Sequence, residues 1–127
     1  MATPYQICFI TAGDAKTAEK LRDGLLKNKL AACVMIIENV SSSYWWKGKI
    51  ENSKECLFIV KTRKTLSADI IQFVKENHSY TVPETVFFEI SSGNKDYLTW
   101  LGANTLFSTN ISKDRDREKN HKTGFLK

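Results

Sequence analysis

The groups able to do chemistry in this chain are few and lie in three short stretches. Of the two histidines, His121 falls in a polar C-terminal run and is given no role. His78 stands in Asn77-His78-Ser79-Tyr80-Thr81-Val82-Pro83-Glu84, between two apolar segments. Loops of this kind carry a large share of binding and catalytic residues. An imidazole and a carboxylate six positions apart can converge on one divalent cation, since both are good ligands. They can equally shape the loop through hydrogen bonds, or serve as a general acid and base. Two donors make no specific metal site, so that reading needs Cys33 or side chains from another copy.

Lys61 ends the apolar run Leu57-Phe58-Ile59-Val60. A lysine there extends its stem towards solvent, pairs with Glu84, or lowers the pKa of the Cys33 thiol. Separately, Cys33 could be a nucleophile with His78 as base, although Ala32 and Val34 place it in a buried strand. Cys8, Cys33 and Cys56 are an odd number without a Cys-x-x-Cys spacing, and each lies in an apolar context. Small buried hydrophobes, not disulfides, are the expectation. No dinucleotide or phosphate-loop glycine pattern, zinc-protease motif or serine-hydrolase elbow occurs.

These groups need a scaffold, and the apolar periodicity supplies one. Tyr5 to Thr11 reads as a strand, and Asp14 caps a helix carrying Ala18, Leu21 and Leu25 on one face, with Asn28 closing it. A second strand starts near Ala31, and a third runs from about Ile50 to Thr62, joined at Lys47-Gly48. A second helix, capped by Thr65 or Ser67, presents Ile70, Phe73 and Val74, with Asn77 as a left-handed stop. Val86 to Ile90 is the fourth strand, and Asn94 to Ala103 a third helix with Tyr97, Leu98, Trp100 and Leu101. The order β-α-β-β-α-β-α is that of the split βαβ layout, an α+β fold with an antiparallel sheet and helices on one face. One domain over 1–107 is expected, followed by a basic polar tail over 108–127.

The second and third strands are too long for such a domain. Ala31 to Lys47 as one strand would span roughly 56 Å, whereas a compact chain of this length has a radius of gyration of about 14 Å. The ribbon must bend, bulge or project, and Asn39 with Ser41 to Ser43 offers the bend. Near its tip stand Tyr44, Trp45 and Trp46. Exposed rings at a ribbon tip call for a partner, so self-association is expected.

The net charge is +5, of which Lys113 to Lys127 holds +3. Its alternating signs suit a solvated helix or tail, and the aromatics are not interleaved with arginines, so no nucleic-acid surface is expected. No apolar run approaches the roughly 20 residues of a membrane span. The start of the chain has no export signal, so a cytoplasmic protein is expected.

With these pieces assembled, the chain resembles the CutA family, named for divalent-cation tolerance. The likeness spans about residues 5–103. Its landmarks are Leu30-Ala31-Ala32-Cys33-Val34, Ser43-Tyr44-Trp45-Trp46-Lys47-Gly48-Lys49-Ile50, Lys61-Thr62, His78 to Glu84, and Tyr97-Leu98-Thr99-Trp100. The resemblance implies a ferredoxin-like, non-enzymatic subunit in a tight homotrimer held through long ribbons, with a fold akin to PII-type signalling proteins. The shared positions it carries over are Cys33, Tyr44, Trp46, Lys61, His78, Tyr80 and Glu84. They imply a divalent-cation (copper) or small-ligand cleft between subunits, walled by Tyr44 and Trp46. In bacterial relatives, copper binding is associated with a cysteine ending the first strand and a tandem His-His. Here those positions read Ile10 and Asn77-His78, so one ligand of three remains. A PII-like module binding a small anionic metabolite through Lys61 and tail lysines is the alternative.

Overall fold

Alternation of apolar side chains builds a four-stranded antiparallel sheet. A computed structural model of the chain describes residues 3–107, so the expected tail and His121 lie outside the described residues. The strands are β1 (Tyr5–Ala12), β2 (Cys33–Trp46), β3 (Lys49–Arg63) and β4 (Thr85–Glu89). They lie side by side in the order β2-β3-β1-β4. The helices are α1 (Ala15–Lys27), α2 (Ser67–Asn77, preceded by a single 3-10 turn) and α3 (Lys95–Ala103).

In β1 and β3 the period of two sends Cys8, Ile10, Phe58 and Val60 to a face covered by Leu21 and Leu25 of α1 and Ile70, Phe73 and Val74 of α2. Asp14 caps α1 as expected, its Oδ1 accepting from the Thr17 amide at 2.7 Å and its Oδ2 from the Thr17 hydroxyl at 2.9 Å. These bonds hold the Asp14 carboxyl below the usual carboxylate range. At the other end Asn28 donates its side chain to the Gly24 carbonyl.

Four local expectations are corrected. Neither Thr65 nor Ser67 caps α2: the Thr65 hydroxyl donates to the Phe107 carbonyl, and Ser67 bridges Gln6 and Lys64. Asn77 does not adopt a left-handed conformation but closes α2 by donating its side-chain amide to the Phe73 carbonyl. Of the cysteines, only Cys8 is fully buried, whereas Cys33 and Cys56 are half-buried free thiols. Nor do all helices share one face. α3 sits over Lys61, Arg63 and Tyr5, which alternate to the side opposite Val60 and Thr62. Arg63 makes this contact, donating to the Gly102 carbonyl at 2.8 Å and to the Thr105 hydroxyl at 3.0 Å.

The rest of that second face is open and apolar. Its register lines up Ile37 with Leu57, Met35 with Ile59 and Phe9, and Val86 with Phe9 in turn. Met35, Ile37, Val86 and Phe88 are each more than 40% exposed.

The ribbon leaves the sheet where β1 ends. Ala12 faces Cys56, so Lys49 to Glu55 pair only with Val40 to Trp46. A bulge falls at this root: Ile37 pairs with Leu57 and Val40 with Glu55, leaving two residues opposite one. Asn39 takes the left-handed conformation there (φ 61°), which asparagine tolerates better than most residues. At the tip, Lys47 (φ 51°) and Gly48 (φ 79°) form a two-residue turn with both φ values positive, the twist that suits a hairpin. Among the described residues no helix is long and apolar enough to cross a membrane.

Candidate functional site

Residues along the ribbon, from Glu55 at its root to Trp46 near its tip, and the loop between α2 and β4 line a cleft of about 590 Å³. The ribbon contributes Ser42, Tyr44, Trp46 and Glu55, and the loop contributes Tyr80, Val82 and Glu84. Each gets there for a local reason. The bulge at Asn39 resets the alternation of β2, so Tyr44 and Trp46 share the side of Val40, whose partner is Glu55.

The loop is tied to the corner between β1 and α1. His78 Nε2 lies 2.6 Å from the Thr11 carbonyl, an acceptor only, and the Tyr80 amide donates to His78 Nδ1 at 3.0 Å. With Nδ1 accepting from Tyr80, Nε2 is the ring's donor to Thr11, and both ring nitrogens are engaged. The Ser79 hydroxyl reaches Asp14 Oδ2 at 3.4 Å. Gly13 provides the seat for the next ring, because a side chain there would overlap the Tyr80 hydroxyl.

Seated in this way, Tyr80 donates its hydroxyl to Glu55 Oε2 at 2.8 Å, linking loop to ribbon. Glu55 is only 8% exposed. Burial, and then the bond to Glu55, push the Tyr80 phenol up to about 12, so it stays protonated at any physiological pH. Tyr80→Phe removes that donor from a buried carboxylate, and a loss of about 1–3 kcal/mol in unfolding free energy is expected. Urea denaturation of the two proteins measures it.

Glu84 is also raised above the usual carboxylate range, by desolvation first and by the nearby charge of Glu55 second. A carboxyl with a raised folded-state pKa favours the fold while protonated. That contribution is complete in acid and is lost as the pH climbs through the folded pKa. Glu84→Gln is therefore expected to melt slightly higher than the parent at neutral pH, with the gap closing in acid. Melting curves at both pH values check the sign.

The structure brings together Tyr44, Trp46, Tyr80 and Glu84, four of the residues the sequence singled out. His78 adjoins them as the loop's anchor. Cys33 and Lys61 are not brought to the cleft within one chain. They are cross-strand partners, four residues along β3 from Leu57 and so roughly 13 Å away from it. Lys61 Nζ lies instead 5.2 Å from the centre of the Tyr97 ring. Cys33 and His78 thus form no nucleophile–base pair in one chain.

Glu55 is the cleft residue the sequence reading missed. A signal existed: it alternates with Leu57 and Ile59, a lone carboxylate in an apolar series.

A copper centre finds a poor fit in one chain. Among the described residues no three His, Cys, Asp or Glu side chains cluster as a metal site, and ligation by His78 would cost it a backbone bond. Oxygen donors such as Glu55 and Glu84 suit hard cations better than copper.

Comparison with known proteins places the chain. The sequence profile of the CutA1 divalent ion tolerance protein matches residues 6–104. Protein CutA 1, chloroplastic, from Oryza sativa subsp. japonica is 38% identical over 102 residues, covering 80% of this chain and 58% of the relative. The chain thus spans under two thirds of that plant protein. The divalent-cation tolerance protein CutA of Pectobacterium atrosepticum is 35% identical over 97 residues, covering 76% of this chain and 88% of the relative. The crystal structure of CutA1 from Oryza sativa superposes with a TM-score of 0.80 at 37% identity, covering 84% of this chain and 98% of that one. The chain belongs to the CutA1 family of divalent ion tolerance proteins.

Proposed function

We propose that this protein is a ferredoxin-like, non-enzymatic homotrimer that takes up a cation in the cleft beside Tyr80 as its part in divalent ion tolerance. The observation that carries this reading is the charge of the cleft. Glu55 and Glu84 line it, and no lysine, arginine or histidine does. A concave site lined by one sign of charge concentrates the opposite sign.

The strand order β2-β3-β1-β4 with the element order βαββαβ supports the ferredoxin-like description. Assembly is supported by the open sheet face and by the ribbon tip, where Trp45 is 72% and Ile50 60% exposed. Patches of this kind mark association surfaces, and three copies is the number the family resemblance implies. The cleft opens on the same side as that face, so a second copy closes it and can supply further donors. A non-enzymatic role is supported by His78, whose two nitrogens are spent on the backbone, and by Cys8, whose thiol burial pushes up to about 12.

Binding of an anionic metabolite is the less favoured reading, because Lys61 faces Tyr97 and not the cleft. Melting curves with Mg²⁺ or Cu²⁺, against a nucleotide and a dicarboxylate, separate the two. Dose-dependent stabilisation by a cation, weakened in Glu84→Gln, is expected. Stabilisation by the anions alone would contradict it.

A further inference from the structure

The identity of the cation can be narrowed further, on the strength of the cation-binding reading above. Size is the first constraint. About 590 Å³ lies within the roughly 300–1,000 Å³ of pockets that hold small organic molecules and far exceeds the space of a bare metal ion.

Donor count is the second. The cleft offers two carboxylates and a phenol that keeps its proton for Glu55. Ca²⁺ asks for six to eight oxygens, more than a lone pair of carboxylates supplies within one chain, and Mg²⁺ held by one or two carboxylates keeps most of its waters and gains nothing from apolar walls. An ammonium group asks for less: a carboxylate or two and an aromatic surface.

The walls meet that second demand. Tyr44, Trp46 and Tyr80 line the cleft with Val82, and the chain's own Lys47 ammonium already lies 5.9 Å from the centre of the Trp46 ring. Glu55 adds an independent pointer. It is 8% exposed, it lines the cleft, and its Oε2 accepts from the Tyr80 hydroxyl. A largely buried carboxylate gains from a charge-assisted hydrogen bond, which a ligand N–H would supply.

We infer that the cleft binds an aliphatic ammonium compound, an ammonium on Glu84 or Glu55 and its methylenes against Tyr44, Trp46 and Val82. A diamine meets both carboxylates at once and is the best-matched form.

The test is calorimetric titration of the full-length protein at low salt with butane-1,4-diamine. Butane-1,4-diol, succinate and Mg²⁺ are the comparisons, and Glu84→Gln and Glu55→Gln are the variants. The diamine is expected to bind, the diol and succinate to give no heat of binding, and each variant to weaken the diamine about tenfold or more. Glu84→Gln keeps the shape of the side chain, and a native mass equal to the parent's confirms that its assembly is intact. Equal binding of diol and diamine, unchanged diamine affinity in both variants, or no diamine binding would each overturn the inference. If Mg²⁺ binds in a Glu84-dependent way while the diamine does not, the ligand class is wrong and the cation-binding reading stands. If neither binds, both fall.

Discussion

Phe58→Ala is expected to cost about 3–5 kcal/mol of stability, the range for removing an aromatic ring from a closed core. Phe58 has no exposed surface. It stands on β3, one of the two central strands, opposite Ile10 of β1 and Ile36 of β2. Its ring belongs to the cluster that joins the sheet to Leu21, Leu25, Ile70 and Phe73. The surrounding strands are fixed by their ladders and cannot collapse into the space left behind, so the cavity term adds to the lost burial. Guanidinium titration at fixed protein concentration reads the loss as a lower midpoint with the slope unchanged.

Ile59→Asp, one position along the same strand, is expected to act in the opposite way. Ile59 points to the open face between Phe9 and Met35. In a single chain that face meets water, and a carboxylate there is solvated at little cost. Across a contact between copies the same charge is buried without a partner, a penalty of several kcal/mol per ion. The variant should keep its helical and sheet signal in circular dichroism while sedimenting as a single chain of 14.5 kDa. Retention of the parent's sedimentation coefficient would show that this face is not where copies meet.

The contrast between neighbouring positions also shows what could be read from the chain unaided. Asp14 and Asn28 bracket α1 as their types suggest, because a cap is settled within four residues of backbone. The bend near Asn39 was legible for the same reason, and so was the turn at Lys47-Gly48. The start of α2 was not. Thr65 and Ser67 have the right chemistry for caps, yet Phe107, Gln6 and Lys64 claim their hydroxyls from elsewhere.

The cleft followed the same rule. Tyr44, Trp46, Tyr80 and Glu84 stood out as aromatic or acidic residues in distinctive stretches. Glu55 did not, because its place depends on the bulge in β2 and on Tyr80 reaching it past Gly13. Lys61 read as a partner for Glu84 or for Cys33, and the register sets it opposite Cys33 and Ile7, further along the sheet from the cleft. His78 carries the loop instead of a metal ligand's open nitrogen, a distinction that rests on two hydrogen-bond partners no sequence pattern names.

The most direct measurement is the mass of the wild-type particle, by light scattering on the column eluate in dilute buffer at micromolar concentration. Three copies joined through the apolar sheet face and the ribbon should give about 44 kDa, three times the 14.5 kDa chain. A value near 14.5 kDa would leave that face bare and the cleft without its second wall, and the account would fail.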